Sequence, residues 1–287
     1  MTQPEADSWQ PSQLQLDRIR YRRSRTRRSV LIALVSTVVV LGAIVLFVGH
    51  AKGWPDTQKS FFDVRAGWDG LGAQIKALWL NIQIMLISEV CVLVFGAIIA
   101  LLRTLQGPVF FPLRMLATVY VDLFRGIPLL IVIYLVVFGI PSLHISYLPK
   151  GSFTLSIVAL TLTYTAYVAE VMRAGIQSVH PSQASAARSL GLTHGQSMRY
   201  VIFPQGLRRV LPPLLNDFVS LQKDTSLVSI GGAIEVVLTA LNQQSQDFKF
   251  VHYVVAALIF VALSVPLTRL TDWIARRQGW VSGGAII

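Results

Sequence analysis

The stretch SAARSLGLTHGQSMRYVIFPQG, Ser185 to Gly206, reads as a short helix, a three-residue turn and a second helix. Ala, Ser, Gln and Arg fill Pro181 to Leu190 at a helical period, and Pro181 suits the first turn because no amide partner is needed there. Gly191 suits a left-handed stop after the last turn. Thr193 and Gln196 have the spacing of a capping box, so a new helix is expected to start at Thr193 and to be limited by Pro204. Two helices joined this tightly are also the shape of a DNA-reading unit. Such a unit puts Arg, Lys, Asn or Gln at the exposed start of its second helix to reach base edges. That position here offers His194, Gly195 and Gln196, a thin set, so the surroundings have to decide.

Those surroundings are apolar. Of 287 residues, 53% are hydrophobic and 14% charged, with a mean hydropathy of +0.59, whereas soluble domains carry about 25% charged residues. Lipid is therefore the expected solvent. The net charge of +11 invites a nucleic-acid reading, so where the charges lie matters more than their sum.

Val30 to Gly49 is a charge-free run of about twenty residues, enough to cross the roughly 30 Å hydrocarbon layer. It reads as a span or a signal peptide. Arg residues precede it as in a signal, but a signal's apolar core is usually about 7–15 residues, which favours a retained anchor. Later spans are expected at Leu78 to Leu102, about Thr118 to Ile140, about Phe153 to Met172, interrupted within Leu211 to Leu241, and Val251 to Leu267. That makes six crossings.

With the N-terminus in the cytoplasm, the cytoplasmic side collects the seven Arg from Arg18 to Arg28, then Arg103, Arg114, Arg173, Arg188, Arg199, Arg208, Arg209, Arg269, Arg276 and Arg277. The opposite side holds Lys52, Lys59, Arg65, Lys150 and Lys249, while Lys76, Arg125 and Lys223 fall near or within spans. The positive-inside rule thus puts both termini inside. The basic balance is mostly topology, and the Arg-rich tail also suits anionic headgroups. Met1 to Ser29 is expected to be disordered until it meets the membrane.

The outside loop Ala51 to Ala73 leads into FFDVRAGWDGLGAQIKALW, which reads as an interfacial helix with Trp68 and Trp79 at headgroup depth. Pro141 to Gly151 is a short outside loop. Cys91 is the one cysteine, so no disulfide or cysteine metal site can be built within one chain. The five His stand apart in sequence, with no HExxH or paired-carboxylate pattern, and no metal site is expected. Met172 to Val210 is the longest cytoplasmic segment between spans and contains Ser185 to Gly206. A DNA-reading head needs dimer spacing or a free tether, whereas this helix pair is tied at both ends to spans. It reads instead as a docking surface under the bilayer. Ala184, Ser185, Ala186, Ala187 and Ser189 keep the first helix thin enough for a partner's groove, or for packing on its own neighbours.

At this point the chain resembles the membrane subunits, or permeases, of ABC importers. Their cytoplasmic signature is Glu-Ala-Ala, three residues, Gly, nine residues, Ile-x-Leu-Pro. The matching run is Ser185-Ala186-Ala187, three residues, Gly191, nine residues, then Val201-Ile202-Phe203-Pro204. Ser185 replaces Glu, Val201 replaces Ile and Phe203 replaces Leu, and only the first of these changes charge. YVDLFRGIPLL, Tyr120 to Leu130, is similar to the polar amino acid importers' Tyr-Val-Glu-x-x-Arg-Gly-Thr-Pro-Leu-Leu. AYVAEVMRAGIQSVHPSQ, Ala166 to Gln183, and LQKDTSLVSIGGAIEV, Leu221 to Val236, are similar to the segments that flank that family's loop.

The resemblance covers about Ala73 to Arg277. It implies an all-α membrane protein with a type I ABC importer transmembrane domain: a five-helix core plus one extra N-terminal transmembrane helix. The implied division is an Arg-rich cytoplasmic tail (1–29), the extra helix (30–50) and the permease domain (73–277), with a coupling loop at about 176–206. The resemblance also implies two ABC ATPase subunits, a second permease (the same or a related chain), an extracytoplasmic amino-acid-binding protein and membrane lipid as partners, with no nucleic acid. The location would be the bacterial cytoplasmic membrane. The chain has no GxxxxGK[ST] phosphate loop, so it is not expected to hydrolyse ATP, and ATP and Mg would sit on the partner ATPase. Ser185, Ala186, Ala187, Gly191 and Pro204 would carry the coupling.

Ionisable groups inside spans cost about 2.5–3.5 kcal/mol each on insertion scales, so Glu89, Asp122, Arg125, Glu170, Asp217, Lys223, Asp224 and Glu235 need partners or water. Asp122 and Arg125, three apart, are expected to form a structural ion pair. Lys223 and Asp224 lie where polar residues interrupt the fifth span, and unwound backbone at membrane depth is tolerated where protein or a wet cavity covers it. Tyr164, Tyr167 and Glu170 share one helical stripe. With Thr225, Ser226 and Ser229 they are the candidates for a substrate path, Glu170 for an ammonium and the hydroxyls for a carboxylate; a purely structural role stands beside this reading. Two other functions compete: an ion-coupled secondary transporter and a membrane-anchored helix-turn-helix regulator.

Overall fold

Among the described residues, 12–105 and 107–277 of this computed structural model, all regular elements are helices. Four of them are long and apolar enough to cross a membrane, within Arg28–Gly49, Trp54–Thr104, Ser152–Gln177 and Val251–Arg277, and two bent pairs raise the number to six if each is one span. The chain divides into two units, to Lys59 and from Ser60.

The first unit is dominated by α1 (Gln13–Gly49). Its Arg-rich part is helical rather than disordered. Ser12 and Gln15 close a capping box on the first turn, and a helix already nucleated in the span propagates cheaply through Arg, Leu and Gln. Met1 to Pro11 of the expected tail lie outside the described residues. From Val30 on, α1 is exposed all round within its unit, as a lipid-facing span must be. A short helix, α2 (Trp54–Phe61), follows.

After the last residues of α2, the second unit continues into α3 (Val64–Thr104), capped by Asp63, whose carboxylate accepts from the Ala66 amide. No separate interfacial helix forms: Trp68 and Trp79 both lie exposed on α3. At 1.5 Å per residue this helix is about 60 Å long, twice the hydrocarbon thickness, so its first turns belong outside the crossing that begins near Leu78. There Lys249 reaches Asp63 at 2.7 Å and Phe250 stacks on Phe61 at 5.1 Å. Asp63's carboxylate raises the Lys249 ammonium above its ordinary pKa.

The third expected span is not one rod. A 3-10 turn (Pro108–Phe110) leads into α4 (Phe111–Gly126), which meets α5 (Leu129–Ser142) at 106°. Pro128 lacks an amide hydrogen and excludes the helical region for the residue before it, so Ile127 is extended at φ −93, ψ 130. The central element is α6 (Ser152–Gln177), packed by α3, α4, α5 and α9 (Phe203–Asp224). Its Ala159, Ala166 and Ala169 are fully buried, the small-residue contact by which membrane helices approach closely. The tightest crossing pairs Gly175 of α6 with Gly206 of α9: a Cβ on Gly175 would fall 1.9 Å from Val210 Cγ1. The interrupted span is present as expected. After α9 the chain tightens into a 3-10 segment (Thr225–Gly231), turns through left-handed Gly232 and resumes as α10 (Val236–Asp247) before α11 (Val251–Arg277).

Candidate functional site

Between α6 and α9 the chain forms an elbow. Helix α7 (Pro181–Ser189) has proline at its first position and His180 as its cap, the imidazole Nδ1 accepting from the Ser182 amide at 3.2 Å. Gly191 takes φ +83, and its amide donates to the Arg188 carbonyl at 2.9 Å while that of Leu192 donates to Ala187 at 3.2 Å. Thr193 and Gln196 then form the expected capping box on α8 (His194–Ser197). Pro204 does not limit this second helix. A π turn (Met198–Ile202), with the Phe203 amide bonded five residues back to Met198, carries the chain directly into α9. The wider turn relieves the clash a proline ring makes with the carbonyl four residues before it. Arg209 donates to the Ser178 carbonyl at the end of α6, and Gln205 reaches Gln183 of α7 at 3.4 Å, so the elbow is braced on both helices that carry it.

The small residues of α7 divide. Ala187 is 4% exposed and packs on the protein's own neighbours, while Ser185, Ala186 and Ser189 face outward. Leu190, at the bend, is 84% exposed. It is the elbow's apolar tip, and the sequence reading passed over it. A leucine directly before a left-handed glycine stop was the available signal.

The broken span gathers a second group. Asn81 of α3 donates to Thr225 Oγ1 at 3.1 Å and to Glu235 Oε2 at 3.0 Å, and accepts from the Val236 amide at 3.2 Å. Glu235 is fully buried and caps α10 through the Leu238 amide at 2.8 Å. Thr225 also donates to the Gln222 carbonyl at 2.7 Å, and Ser229 to that of Ser226 at 2.9 Å. Asn81 was missed in sequence, although an isolated amide in an apolar run requires a partner. Tyr164 donates to Asp224 Oδ2 at 2.7 Å, and its ring lies 6.2 Å from that of Tyr167, which is exposed.

Glu170 stands apart from that group. Its carboxylate accepts from Arg103 of α3 at 2.5 Å and from Arg173 one turn along α6, and Arg125 of α4 approaches to 4.0 Å. The expected Asp122–Arg125 pair does not form among the described residues. The Arg125 guanidinium lies toward Glu170 instead, at the 4.0 Å edge of an ion pair and 42% exposed, so water screens it from the two arginines already there. Thus the stripe Tyr164, Tyr167, Glu170 exists, but its two ends serve different neighbours.

Residues 92–280 match the family model described as "Binding-protein-dependent transport system inner membrane component". The chain belongs to this family. The permease is 37% identical over 185 residues to the probable glutamine ABC transporter permease protein GlnM of Bacillus subtilis (strain 168), covering 64% of this chain and 83% of that one. It is 32% identical over 212 residues to the glutamate transport system permease protein GluC of Corynebacterium glutamicum, covering 70% and 92%. It also superposes on the crystal structure of an amino acid ABC transporter with histidines at a TM-score of 0.67 and 33% identity, over 72% of this chain and 94% of that one. The permease therefore has the helical ABC importer fold that its motifs imply. These relatives lend no support to an ion-coupled carrier or a helix-turn-helix regulator. The match starts within α3, so α1 of the permease lies outside it.

Proposed function

We propose that this permease forms half of a translocation path for polar amino acids across a bacterial cytoplasmic membrane, driven by two separate ABC ATPase subunits. The relatives named for glutamine and glutamate support the substrate class. A second permease, the same or a related chain, completes the path, and an extracytoplasmic binding protein delivers the substrate. ATP and Mg are held by the ATPases. The observation that carries this reading is the elbow: a braced, left-handed bend that presents Ser185, Ala186 and Leu190 outward from the helices α6 and α9 that build the core. Closure of an ATPase groove on that bend moves both helices together, a switch by differential binding. Gly191 sets the bend, Ala187 packs beneath it, and Pro204 starts the rigid helix that follows.

For the substrate we assign Tyr164, Tyr167, Thr225, Ser226 and Ser229 to the path, with Asp224 supplying the anionic group for the ammonium. Glu170, already held by Arg103 and Arg173, is assigned to structure. Broken helices near the membrane midplane build such sites in other transporters.

Leu190→Asp is the direct test. A charge at the tip cannot be buried in an apolar groove, and at 84% exposure the side chain contributes little to its own chain's packing. The variant is expected in the membrane at normal level, with ATPase copurification and uptake both reduced more than tenfold, the cost of burying one uncompensated charge. Undiminished copurification would remove the tip from the coupling surface. Topology has its own check. With seven Arg ahead of the first span, a tag fused to the N-terminus is expected to resist protease added to intact right-side-out cells, and cleavage without lysis would invert the map.

A further inference from the structure

We propose that the face between α9 and α11 holds one anionic phospholipid, its phosphate at Lys223 and Arg269 and one acyl chain against Phe260, Val261 and Val265. A cavity of about 450 Å³ lies there, with Lys223 on the α9 side and the rest of its wall from α11. The wall is ordered along the helix. Phe260, Val261 and Val265 form its apolar end, whereas Thr268, Arg269 and Asp272 form its polar end. From Val261 to Arg269 the helix rises about 12 Å, so the polarity changes along the membrane normal as it does along a lipid. Just beyond the polar end the Arg277 guanidinium lies 4.0 Å over the Trp273 ring, the residue types that mark the headgroup level.

The charges fit. Lys223 is exposed and makes no ion pair among the described residues, and a bare ammonium beside lipid needs water or an anion in reach. On the wall itself Lys223 and Arg269 face one carboxylate, Asp272, because Asp224, next to Lys223, is taken up by Tyr164 on the α6 side at 2.7 Å. The wall therefore carries one net positive charge, the complement of a monoanionic phosphate diester. Ser264 on the same wall is already committed, donating to Gln222 Oε1 at 2.5 Å. Val261 and Val265 stay more than half exposed, so the apolar end is uncovered by protein. A free amino acid would leave these valines bare, and a second permease seated here would need its own anion opposite Lys223 and Arg269. One lipid molecule meets both ends of the wall.

The test is native mass spectrometry of the full transporter extracted from membranes and exposed to phosphatidylglycerol or to phosphatidylcholine with the same acyl chains. Wild type is expected to retain phosphatidylglycerol about tenfold better or more, as two cation contacts would give. The double variant Lys223→Gln, Arg269→Gln is expected to retain one phosphatidylglycerol fewer per permease. Val261→Trp, which fills the slot and keeps both cations, is expected to lose the same molecule. Arg269→Gln alone, at an exposed position, serves if the double variant does not assemble, with partial loss expected. Equal retention by wild type and these variants would overturn the site. So would permease dimers that fall apart in the double variant while phosphatidylglycerol retention is unchanged, since that assigns the face to the other permease.

Discussion

Replacing Glu170 by Gln is expected to lower the amount of assembled permease before it lowers the rate of transport. Arg103 is 10% exposed and bonded to this carboxylate at 2.5 Å, Arg173 shares it and Arg125 approaches it. One carboxylate thus stands among three guanidinium groups from α3, α4 and α6 and offsets one of their three charges. Glutamine keeps the shape and removes the charge, leaving Arg103 buried without compensation beside two like charges. Breaking a buried pair from one side costs about 3–5 kcal/mol, and partial exposure of Arg173 and Arg125 puts this cluster near the lower figure. Against a total stability of about 5–15 kcal/mol, that is a large loss. Thermal unfolding of the purified protein, together with membrane abundance, measures it, and Glu170→Asp is expected to recover part. A Gln variant with normal abundance and melting but no uptake would return Glu170 to the substrate path.

Gly191→Val is expected to leave insertion intact and uncouple transport. At φ +83 a β-branched residue is strained wherever there is room for it, and nothing lies within 4 Å of the position a Cβ would take. The cost is therefore conformational, and the chain relieves it by opening the bend between α7 and α8. Because the elbow is braced to α6 and α9 through Arg209 and Gln205, a changed bend moves the exposed tip at Leu190 rather than the core. Uptake is expected to fall at least tenfold with abundance unchanged. Gly191→Asn, which tolerates the left-handed region, is expected to keep most of it. Equal activity of the Val and Gly forms would show that the bend does not set coupling.

These two positions mark what the sequence discloses and what it hides. Gly191 and the Thr193–Gln196 box were legible because each acts on its own turn, where residue type dictates backbone geometry. The spans were legible because lipid forbids charge over twenty residues. Where several local rules compete, reading failed. Pro204 predicts a stop, but a π turn absorbs it. The apolar run from Thr118 to Ile140 reads as a span without showing its shape, though Ile127-Pro128 carries the signal for the 106° bend. The Asp122–Arg125 spacing promised a pair, yet Arg125 answers to Glu170 on another helix, a choice only the packing of α3, α4 and α6 makes. Asn81 bonds residues more than 140 positions away, and no local pattern announces such partners.

If ATP hydrolysed by partners docked on the elbow drives amino acids through this chain, transport depends on ATP and not on an ion gradient. The most direct measurement is uptake of labelled polar amino acids into vesicles holding the permease with its ATPases, ATP sealed on the side of the elbow and binding protein on the other. The account predicts uptake that stops when ATP is omitted and persists in the presence of an uncoupler. Uptake that continues without ATP and collapses with the uncoupler would contradict it.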